Sequence, residues 1–381
     1  MARNRKQLKL ITVLIALVAG ACMGESEKGQ HQTETFVSDF IFENNDVSLT
    51  VKATGGMFTD FHLKSRPVNP FGWDLLPEQM PANNQPHVFA GHFLCSGRWG
   101  APSEGEIAAG VPHNGEVNTT RWIITRDERD RNGLRSVTMS CHAPIERLDV
   151  ERKIIIPEKG TWFFVNEKFT NNLPVGRIAN FVQHGTVYAP FLSEEMLVFT
   201  NADKGFDQRT HPQFLEDSSF VWPHALLASG NRIDLTNPNT GEGFVTTHIF
   251  PETDSLGWVA AINPAENLLL AYVFKTAEYP WFNYWHHAEE GKPYVRGLEF
   301  GTTGLGEAHE MIFQENNRFF GTPFFLYMDA GEVVEKSWYC FKIETEMMHV
   351  STVFFRDDAL IIAGKDGHDT FVQVKMDVNG W

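Results

Sequence analysis

Short runs in which apolar and polar side chains alternate constrain the fold of this chain more than any other feature. Such runs recur along most of the sequence, for example at residues 135–139 and 370–376. Each run ends near Gly, Pro, Asn or Asp, which is typical of strands joined by turns. Helical periodicity is rare, and only residues 80–84 and 225–229 have a pattern that favours a turn or two of helix. The sequence therefore predicts an all-β protein.

The strand pattern continues without a break, and this favours one large domain. No Pro/Ser-rich linker, block of charge or fixed-period repeat divides residues 36–381. We therefore predict a single large antiparallel β-sandwich over this range, built from two packed sheets. Four long irregular stretches interrupt the strands, and long loops of compact β domains often carry function. These stretches are residues 65–84, 97–119, 201–239 and 276–293.

The N-terminus has the pattern of an export signal. Four basic residues precede a short apolar run at residues 10–19, and small residues then lead to Cys22. The run is short for a membrane span and is typical of a signal peptide. We predict a lipoprotein-type signal at residues 1–21, an acyl chain on Cys22 and a flexible polar tether at residues 22–35. A secretory signal cleaved after Ala21 is the alternative. Either way the protein is expected to be exported, and the first interpretation anchors it in a membrane, facing the periplasm or the cell exterior.

Charge and cysteine content exclude several function classes. The 48 Asp and Glu residues outnumber the 32 Lys and Arg residues, which leaves a net charge of −16. This balance argues against nucleic acid, because phosphate backbones require clustered cations. Beyond Cys22 the chain has Cys95, Cys141 and Cys340, an odd number that allows at most one internal disulfide. Their spacing does not resemble a zinc site, so we expect neither a metal nor a cofactor.

Three concentrations of polar and aromatic residues lie where the strand pattern is interrupted. The first contains Arg98 and, beyond it, His113. The second is residues 181–188, which include His184 and follow Thr-Asn-Asn by ten residues. The third is the aromatic run at residues 279–287, which leads into a segment with Glu299 before Thr-Thr-Gly. Loops of this kind are candidate sites for ligands.

The order of these motifs resembles the galactose mutarotase-like superfamily, whose best-known members are aldose 1-epimerases. The resemblance covers nearly the whole chain beyond the signal. It is carried by the following residues: Arg98; His113 with Gly115 and Trp122; His184 with Tyr188; and Glu299. The chain departs from the family pattern where Asn114 is inserted after His113 and where two extra residues separate His184 from Tyr188. For the substrate-binding aspartate of the family, Asp207 is only a candidate.

The resemblance implies a fold and a chemistry. It implies the β-sandwich of these enzymes and ring opening of a sugar, in which the C1 hydroxyl loses a proton while the ring oxygen gains one. Glu299 is then expected as the base and His184 as the acid, on opposite sides of the sugar. We expect Arg98, His113 and Tyr188 to bind the sugar. A face of Trp281 or Trp285 is expected to stack on the sugar ring.

Other functions remain open at this point. A carbohydrate-binding protein that keeps the fold without the catalysis would show the same motifs. A polysaccharide lyase acting on acidic glycans is disfavoured by the negative charge. A glycosidase needs two opposed carboxylates, and only Glu299 has a motif context. A metal site at His286, His287 and Glu289 is disfavoured because adjacent strand residues point to opposite faces. The expected ligand is a small-molecule sugar or an oligosaccharide.

Overall fold

The structure, a computed structural model, describes residues 39–131, 133–211, 213–214, 216–312, 317–365 and 369–373. Strands form 48% of it and helices 7%, which confirms the all-β prediction. Residues 1–21, Cys22 and the tether lie outside the described ranges, so export and lipid anchoring stay predictions. Within these ranges, no helix combines the length and the apolar character needed to cross a membrane.

Twenty-seven strands are present in the described residues. They are β1 (Phe40–Glu43), β2 (Val47–Val51), β3 (Phe58–Leu63), β4 (His92–Cys95), β5 (Ile123–Arg129), β6 (Leu134–Ala143), β7 (Leu148–Pro157), β8 (Trp162–Asn171), β9 (Arg177–Ile178), β10 (Val182–Val187), β11 (Leu197–Thr200), β12 (Lys204–Asp207), β13 (Phe220–Val221), β14 (His224–Leu226), β15 (Arg232–Asp234), β16 (Phe244–Ile249), β17 (Leu256–Asn263), β18 (Leu268–Lys275), β19 (Trp281–Glu289), β20 (Lys292–Gly301), β21 (Arg318–Phe319), β22 (Thr322–Pro323), β23 (Tyr327–Met328), β24 (Val333–Glu344), β25 (Thr352–Arg356), β26 (Ala359–Ala363) and β27 (Asp369–Gln373).

Helices are few and short among the described residues. The α-helices are α1 (Glu104–Ala108) and α2 (His309–Ile312). Single 3-10 turns lie at Pro77–Gln79, Glu116–Thr119, Gln208–Thr210 and Glu216–Ser218. The helical turns expected at residues 80–84 and 225–229 are wrong. Pro81 and Pro86 interrupt the first, which forms a turn after Pro77–Gln79, and the second begins inside β14, which pairs with β15 in a hairpin.

Two large antiparallel sheets form the sandwich. The first sheet has ten strands in the order β1-β2-β3-β4-β10-β20-β19-β16-β12-β13, and the second has eight in the order β11-β17-β18-β24-β8-β7-β6-β5. Alternate residues of each strand point toward the other sheet, and these residues form the main hydrophobic core. The structure therefore confirms a large antiparallel β-sandwich.

The outer faces of the two sheets differ. Against the eight-stranded sheet lies a second apolar cluster, which includes residues of the small sheet formed by β25, β26 and β27. On the outer face of the ten-stranded sheet, a third cluster combines strand residues such as Phe93 and Val182 with loop residues such as Trp73 and Trp99. Loops thus rise around the outer face of the ten-stranded sheet, and this is where the motif residues gather.

Candidate active site

Two neighbouring strands bring His184 and Glu299 together. Strands β10 and β20 pair antiparallel, and their register places His184 directly opposite Glu299. Both side chains point to the outer face of the ten-stranded sheet, because their neighbours Gln183 and Phe300 point inward. The His184 Nε2 and Glu299 Oε1 atoms lie 3.1 Å apart. Pairing across strands therefore explains how residues more than a hundred positions apart come into contact.

The pair lies at the floor of a cavity of about 470 Å³, called here the main pocket. Aromatic side chains form much of its wall, and several polar side chains converge on it. The aromatic residues are Trp73, Phe89, Phe93, Trp99 and Trp285, and the polar ones are Gln79, His113, Asn114, His184, Gln208 and Glu299. A mainly apolar cleft with a few convergent polar groups is typical of sites for small ligands.

Aromatic rings hold the His184 imidazole in place. Phe93 stacks on the ring with centroids 4.3 Å apart, and Trp285 packs edge-on at 5.6 Å. On the far side, Nδ1 lies 2.8 Å from the Thr186 hydroxyl. Burial lowers the pKa of His184 to about 3, and the nearby imidazole of His92 acts in the same direction. The ring is therefore neutral at physiological pH.

Glu299 is the most buried polar residue of the pocket floor, with an exposed fraction of 1%. Burial raises its pKa well above the usual range, and the Trp99 indole acts in the opposite direction. Its Oε2 atom has no hydrogen-bond partner among the described residues. Gly297 lies beside it, and a Cβ there would come within 2.5 Å of Glu299 Oε1. The glycine thus leaves the space that the carboxyl group occupies.

His113 enters the pocket on a tightly fixed loop. Its backbone N–H donates to Asn84 Oδ1 at 2.9 Å, and its carbonyl oxygen accepts from Asn84 Nδ2 at 3.2 Å. Two residues with positive φ follow: Asn114 at 60° and Gly115 at 86°. At Gly115 a Cβ would lie 1.8 Å from the Ser96 carbonyl oxygen, so only glycine fits. Burial lowers the pKa of His113, and Arg98 adds to this effect.

Four of the predicted site residues line the main pocket: His113, His184, Trp285 and Glu299. The structure brings these four together and places the other three elsewhere. Tyr188 packs edge-on against Tyr294, with ring centroids 5.3 Å apart. Trp281 is fully buried and stacks on Phe324 at 4.6 Å. These placements do not support the expected sugar contacts of Tyr188 and Trp281, because neither residue lines the main pocket.

Arg98 also departs from its expected position. Its guanidinium is buried and forms a two-pronged ion pair with Glu106, with Nη2 to Oε2 at 2.9 Å and Nε to Oε1 at 3.3 Å. It also donates to the Ala101 carbonyl. The group is thus engaged with α1 and its flanking loop and does not line the pocket. Asp207 is likewise engaged elsewhere, because it accepts from Arg209 and from the Ala228 backbone N–H.

Several pocket residues were not identified from the sequence. Trp73, Phe89 and Gln79 come from the long irregular stretch before β4, and Gln208 follows the candidate Asp207. The length of that stretch was the only sequence feature that indicated a site there. Its aromatic content did not show which rings point into the main pocket. Trp99, which lines the pocket, sits next to Arg98, which does not.

Unpartnered polar atoms distinguish the main pocket from two larger cavities. The other two have volumes of about 610 and 590 Å³ and are lined by exposed loop residues or by the Asp207–Arg209 ion pair. No described residue lining either of them has a buried polar atom without a partner, whereas the main pocket has Trp73 Nε1 and Glu299 Oε2. Such atoms are costly unless a ligand or water satisfies them.

The charges around the main pocket limit what it can bind. Among its described lining residues, Glu299 is the only carboxylate, and Lys and Arg are absent. Within the part of the chain that the structure describes, no group of three or more His, Cys, Asp or Glu side chains is arranged to hold a metal ion. The three cysteines beyond Cys22 are free and buried. The pocket thus offers hydrogen bonds and aromatic faces to a neutral ligand.

Comparison of the fold with solved structures identifies the architecture. No protein-family model and no curated protein matches the sequence. A structure from Klebsiella pneumoniae, provisionally described as an aldose 1-epimerase, has a TM-score of 0.57 and 12% identity over 79% of this chain and 77% of its own. A galactose mutarotase-like protein from Clostridium acetobutylicum has a TM-score of 0.56 and 12% identity, over 80% of this chain and 95% of its own.

A galactose mutarotase-related enzyme from Lactobacillus acidophilus has a TM-score of 0.55 and 8% identity, over 81% of this chain and 99% of its own. Identity this low shows the shared fold and leaves the activity open. The architecture agrees with the one that the motif order implied. The chain is therefore a divergent protein with the galactose mutarotase-like β-sandwich fold.

Proposed function

We propose that this protein binds a neutral aldose in the main pocket and interconverts its anomers through Glu299 and His184. The observation that carries the proposal is the 3.1 Å contact between these two groups at the floor of an aromatic-walled pocket. Aldose ring opening needs one group that takes a proton and one that gives a proton. The resemblance of the fold to aldose 1-epimerase-like proteins supports this chemistry.

The hydrogen bonds of His184 favour a particular position for the proton of the pair. The Thr186 hydroxyl donates to the His184 carbonyl oxygen at 3.4 Å, so it accepts from Nδ1–H at 2.8 Å. Nε2 then carries a lone pair, and this lone pair faces Glu299 Oε1. A protonated carboxyl avoids repulsion there, and burial of both groups favours the same neutral forms. The resting pair is thus a carboxylic acid beside a neutral imidazole.

This arrangement gives each residue a role in ring opening. When the sugar enters, its C1 hydroxyl replaces the Glu299 O–H as the hydrogen-bond donor to His184 Nε2. Nε2 then takes the proton of the C1 hydroxyl while Glu299 gives its proton to the ring oxygen. The bond between C1 and the ring oxygen breaks, its electron pair goes to the ring oxygen, and C1 becomes a carbonyl carbon. Rotation about the C1–C2 bond presents the other carbonyl face, the ring closes, and both protons return. The proposed roles are the reverse of those expected from the sequence.

The two groups stand side by side, whereas the sequence-based expectation placed them on opposite sides of the sugar. Side-by-side placement suits the reaction, because the C1 hydroxyl oxygen and the ring oxygen are bonded to the same carbon. His113 and Gln79 line the same pocket and are available for other hydroxyl groups. Trp285 offers the aromatic face for the apolar side of the sugar ring.

Polarimetry on freshly dissolved α-anomers of glucose, galactose and xylose tests the proposal. Glu299→Gln and His184→Asn are each expected to lower kcat/KM by about 10²–10⁴-fold, because each removes one proton-transfer partner. The matched controls are Glu151→Gln and His142→Asn, which change exposed residues on the eight-stranded sheet. A wild-type rate no faster than that of Glu299→Gln on all three sugars would contradict the enzymatic proposal.

A binding protein without catalysis is the second candidate, and the low exposure of Glu299 favours it. A carboxyl group that is 1% exposed offers little surface for a sugar to contact. Calorimetry separates the two functions, since sugar binding without faster mutarotation in the wild type indicates a binding protein. The absence of Lys and Arg from the described pocket lining argues against uronate polymers, and its single carboxylate argues against glycoside hydrolysis.

A further inference from the structure

A second hollow of about 400 Å³, called here the side pocket, adjoins the main pocket. The two share three lining residues: Gln208, Val245 and Trp285. Val245 and Trp285 face each other across β16 and β19, so the shared wall belongs to the sheet itself. The hollow is thus continuous with the main pocket along the outer face of the ten-stranded sheet.

An aromatic surface leads from the main pocket into the side pocket. Trp285 and His287 are two positions apart on β19, so both point outward, and their ring planes differ by 19° with centroids 6.4 Å apart. Tyr294 on β20 packs edge-on against His287 at 6.0 Å and supports it. The intervening His286 points to the other face, where its Nε2 lies 3.1 Å from the Thr240 carbonyl oxygen. The two rings thus extend the aromatic wall of the main pocket along β19 into the side pocket.

The polar groups of the side pocket also suit a neutral ligand. Arg209 lines it, and its guanidinium is paired with Asp207 at 2.5 Å and with Glu242 at 2.8 Å. The Arg209 side chain is still 42% exposed. Its charge is thus balanced by two carboxylates, while N–H groups at its edge remain accessible to hydroxyl groups. His287 adds a half-exposed ring nitrogen, with Glu289 at 3.8 Å.

From these observations we infer that the ligand is a neutral oligosaccharide of at least two sugar residues. The inference rests on the proposed function, because the reacting C1 must reach Glu299 and His184 in the main pocket. That requirement fixes the direction of the chain: the reducing-end sugar occupies the main pocket, and the preceding sugar occupies the side pocket. The preceding sugar stacks over His287 and the outer edge of Trp285, with its hydroxyl groups near Arg209.

Calorimetry with matched sugars tests the inference. The pairs are glucose with cellobiose, glucose with maltose, and xylose with xylobiose, which differ in the added sugar and its linkage. We expect at least one disaccharide to bind about threefold to tenfold more tightly than its monosaccharide, as one extra aromatic contact provides. His287→Ala is expected to reduce this ratio toward one, whereas the control His142→Ala, an exposed histidine on β6, leaves the ratio unchanged.

The outcomes separate this inference from the proposed function. If monosaccharides bind or mutarotate but no disaccharide binds more tightly, the oligosaccharide inference fails while the proposed function stands. If a disaccharide binds more tightly and His287→Ala removes the gain, but mutarotation is absent, the side pocket is supported and only catalysis fails. A gain that survives His287→Ala overturns the assignment of the side pocket. If no sugar of either size binds, both proposals fail.

Discussion

The two faces of the ten-stranded sheet use polar residues in opposite ways. Strand β10 shows this in two successive residues, since Gln183 points into the sandwich and His184 points into the main pocket. Both side chains are buried, and both lie within reach of a glutamate: Glu167 for the first and Glu299 for the second. The difference between the two sites lies in how the glutamates are satisfied.

The inner face holds a closed chain of hydrogen bonds between the sheets. Arg152 Nε donates to Glu167 Oε1 at 2.7 Å, and Gln183 Nε2 donates to Glu167 Oε2 at 2.6 Å. Gln183 Oε1 accepts from His92 Nε2 at 3.1 Å, and His92 Nδ1 lies 2.9 Å from the Tyr272 hydroxyl. Every buried nitrogen and oxygen of these five side chains has a partner. This network ties the sheets together and leaves nothing for a ligand.

On the outer face, some buried polar atoms of the main pocket lack hydrogen-bond partners among the described residues. Glu299 Oε2 and Trp73 Nε1 are buried without partners, and both belong to the main pocket. Burying a polar atom without a partner costs about 1–3 kcal/mol. Two inner-face atoms, Tyr284 Oη and Arg296 Nε, are also buried without partners, but neither residue lines the main pocket. The comparison teaches that an unpartnered buried polar atom indicates a site only where its residue also lines a cavity. The predictions below change one face at a time.

The largest effect on stability is expected at the inner face. Glu167→Gln removes the charge that balances the buried Arg152, and loss of one partner of a buried ion pair costs about 3–5 kcal/mol. Guanidinium chloride unfolding measures this cost, with Glu151→Gln as the control, because Glu151 is an exposed glutamate on β7. Mutarotation per folded molecule should stay within twofold of the wild type. A stability loss below 1 kcal/mol would show that the inner network is not a closed unit.

Sequence patterns were sufficient for the fold and for half of the site. Alternation of period two identified the strands, and motif order located His113, His184, Trp285 and Glu299, which the structure places in one pocket. Strand pairing could not be read in the same way, because the contact between β10 and β20 joins segments far apart in sequence. The expectation that Glu299 and His184 lie on opposite sides of the ligand came from the chemistry that the family resemblance implied, and the sequence held no information on strand pairing that could correct it.

The remaining misassignments have a common physical cause. Arg98 and Trp281 lie beside true pocket residues in the sequence, but Glu106 and Phe324 occupy their polar group and ring face. Whether a side chain is free for a ligand depends on partners from other parts of the chain. Composition and spacing carry no information on those partners. The sequence therefore predicted which types of residue form the pocket better than it predicted which side chains are free to contact a ligand.

Low pH is expected to destabilise the fold, because each face of the ten-stranded sheet holds a buried neutral histidine. Burial lowers the pKa of His92 and of His184 to about 3, from an unfolded value near 6.5. Each therefore contributes stability that is fully present above pH 6.5 and is lost as the pH falls toward 3, by at most about 1.4 kcal/mol per pH unit. We measure the free energy of unfolding as a function of pH from pH 6 to 4.5. His92→Gln and His184→Gln are each expected to reduce its slope by up to about 1.4 kcal/mol per pH unit, which corresponds to the uptake of one proton on unfolding.

The exposed His142 provides the reference for this experiment. Its replacement by Gln is expected to change the slope less than either buried replacement. An equal change for His142→Gln would mean that net charge, and not burial, governs the response. If only His92→Gln changes the slope, burial suppresses protonation of the inner-face His92 but does not suppress protonation of the outer-face His184.

The smallest effect, and the most direct comparison, comes from two tryptophans on the same strand. Trp285 lines the main pocket, whereas Trp281 is fully buried against Phe324 on the same side of the sheet. Trp285→Ala should weaken sugar binding about threefold to tenfold, because a stacking contact provides about 0.5–1.5 kcal/mol. Trp281→Phe should lower stability while leaving the affinity per folded molecule unchanged. If the two variants weaken binding equally, the effect comes from the strand they share, and the aromatic wall of the pocket does not hold the sugar.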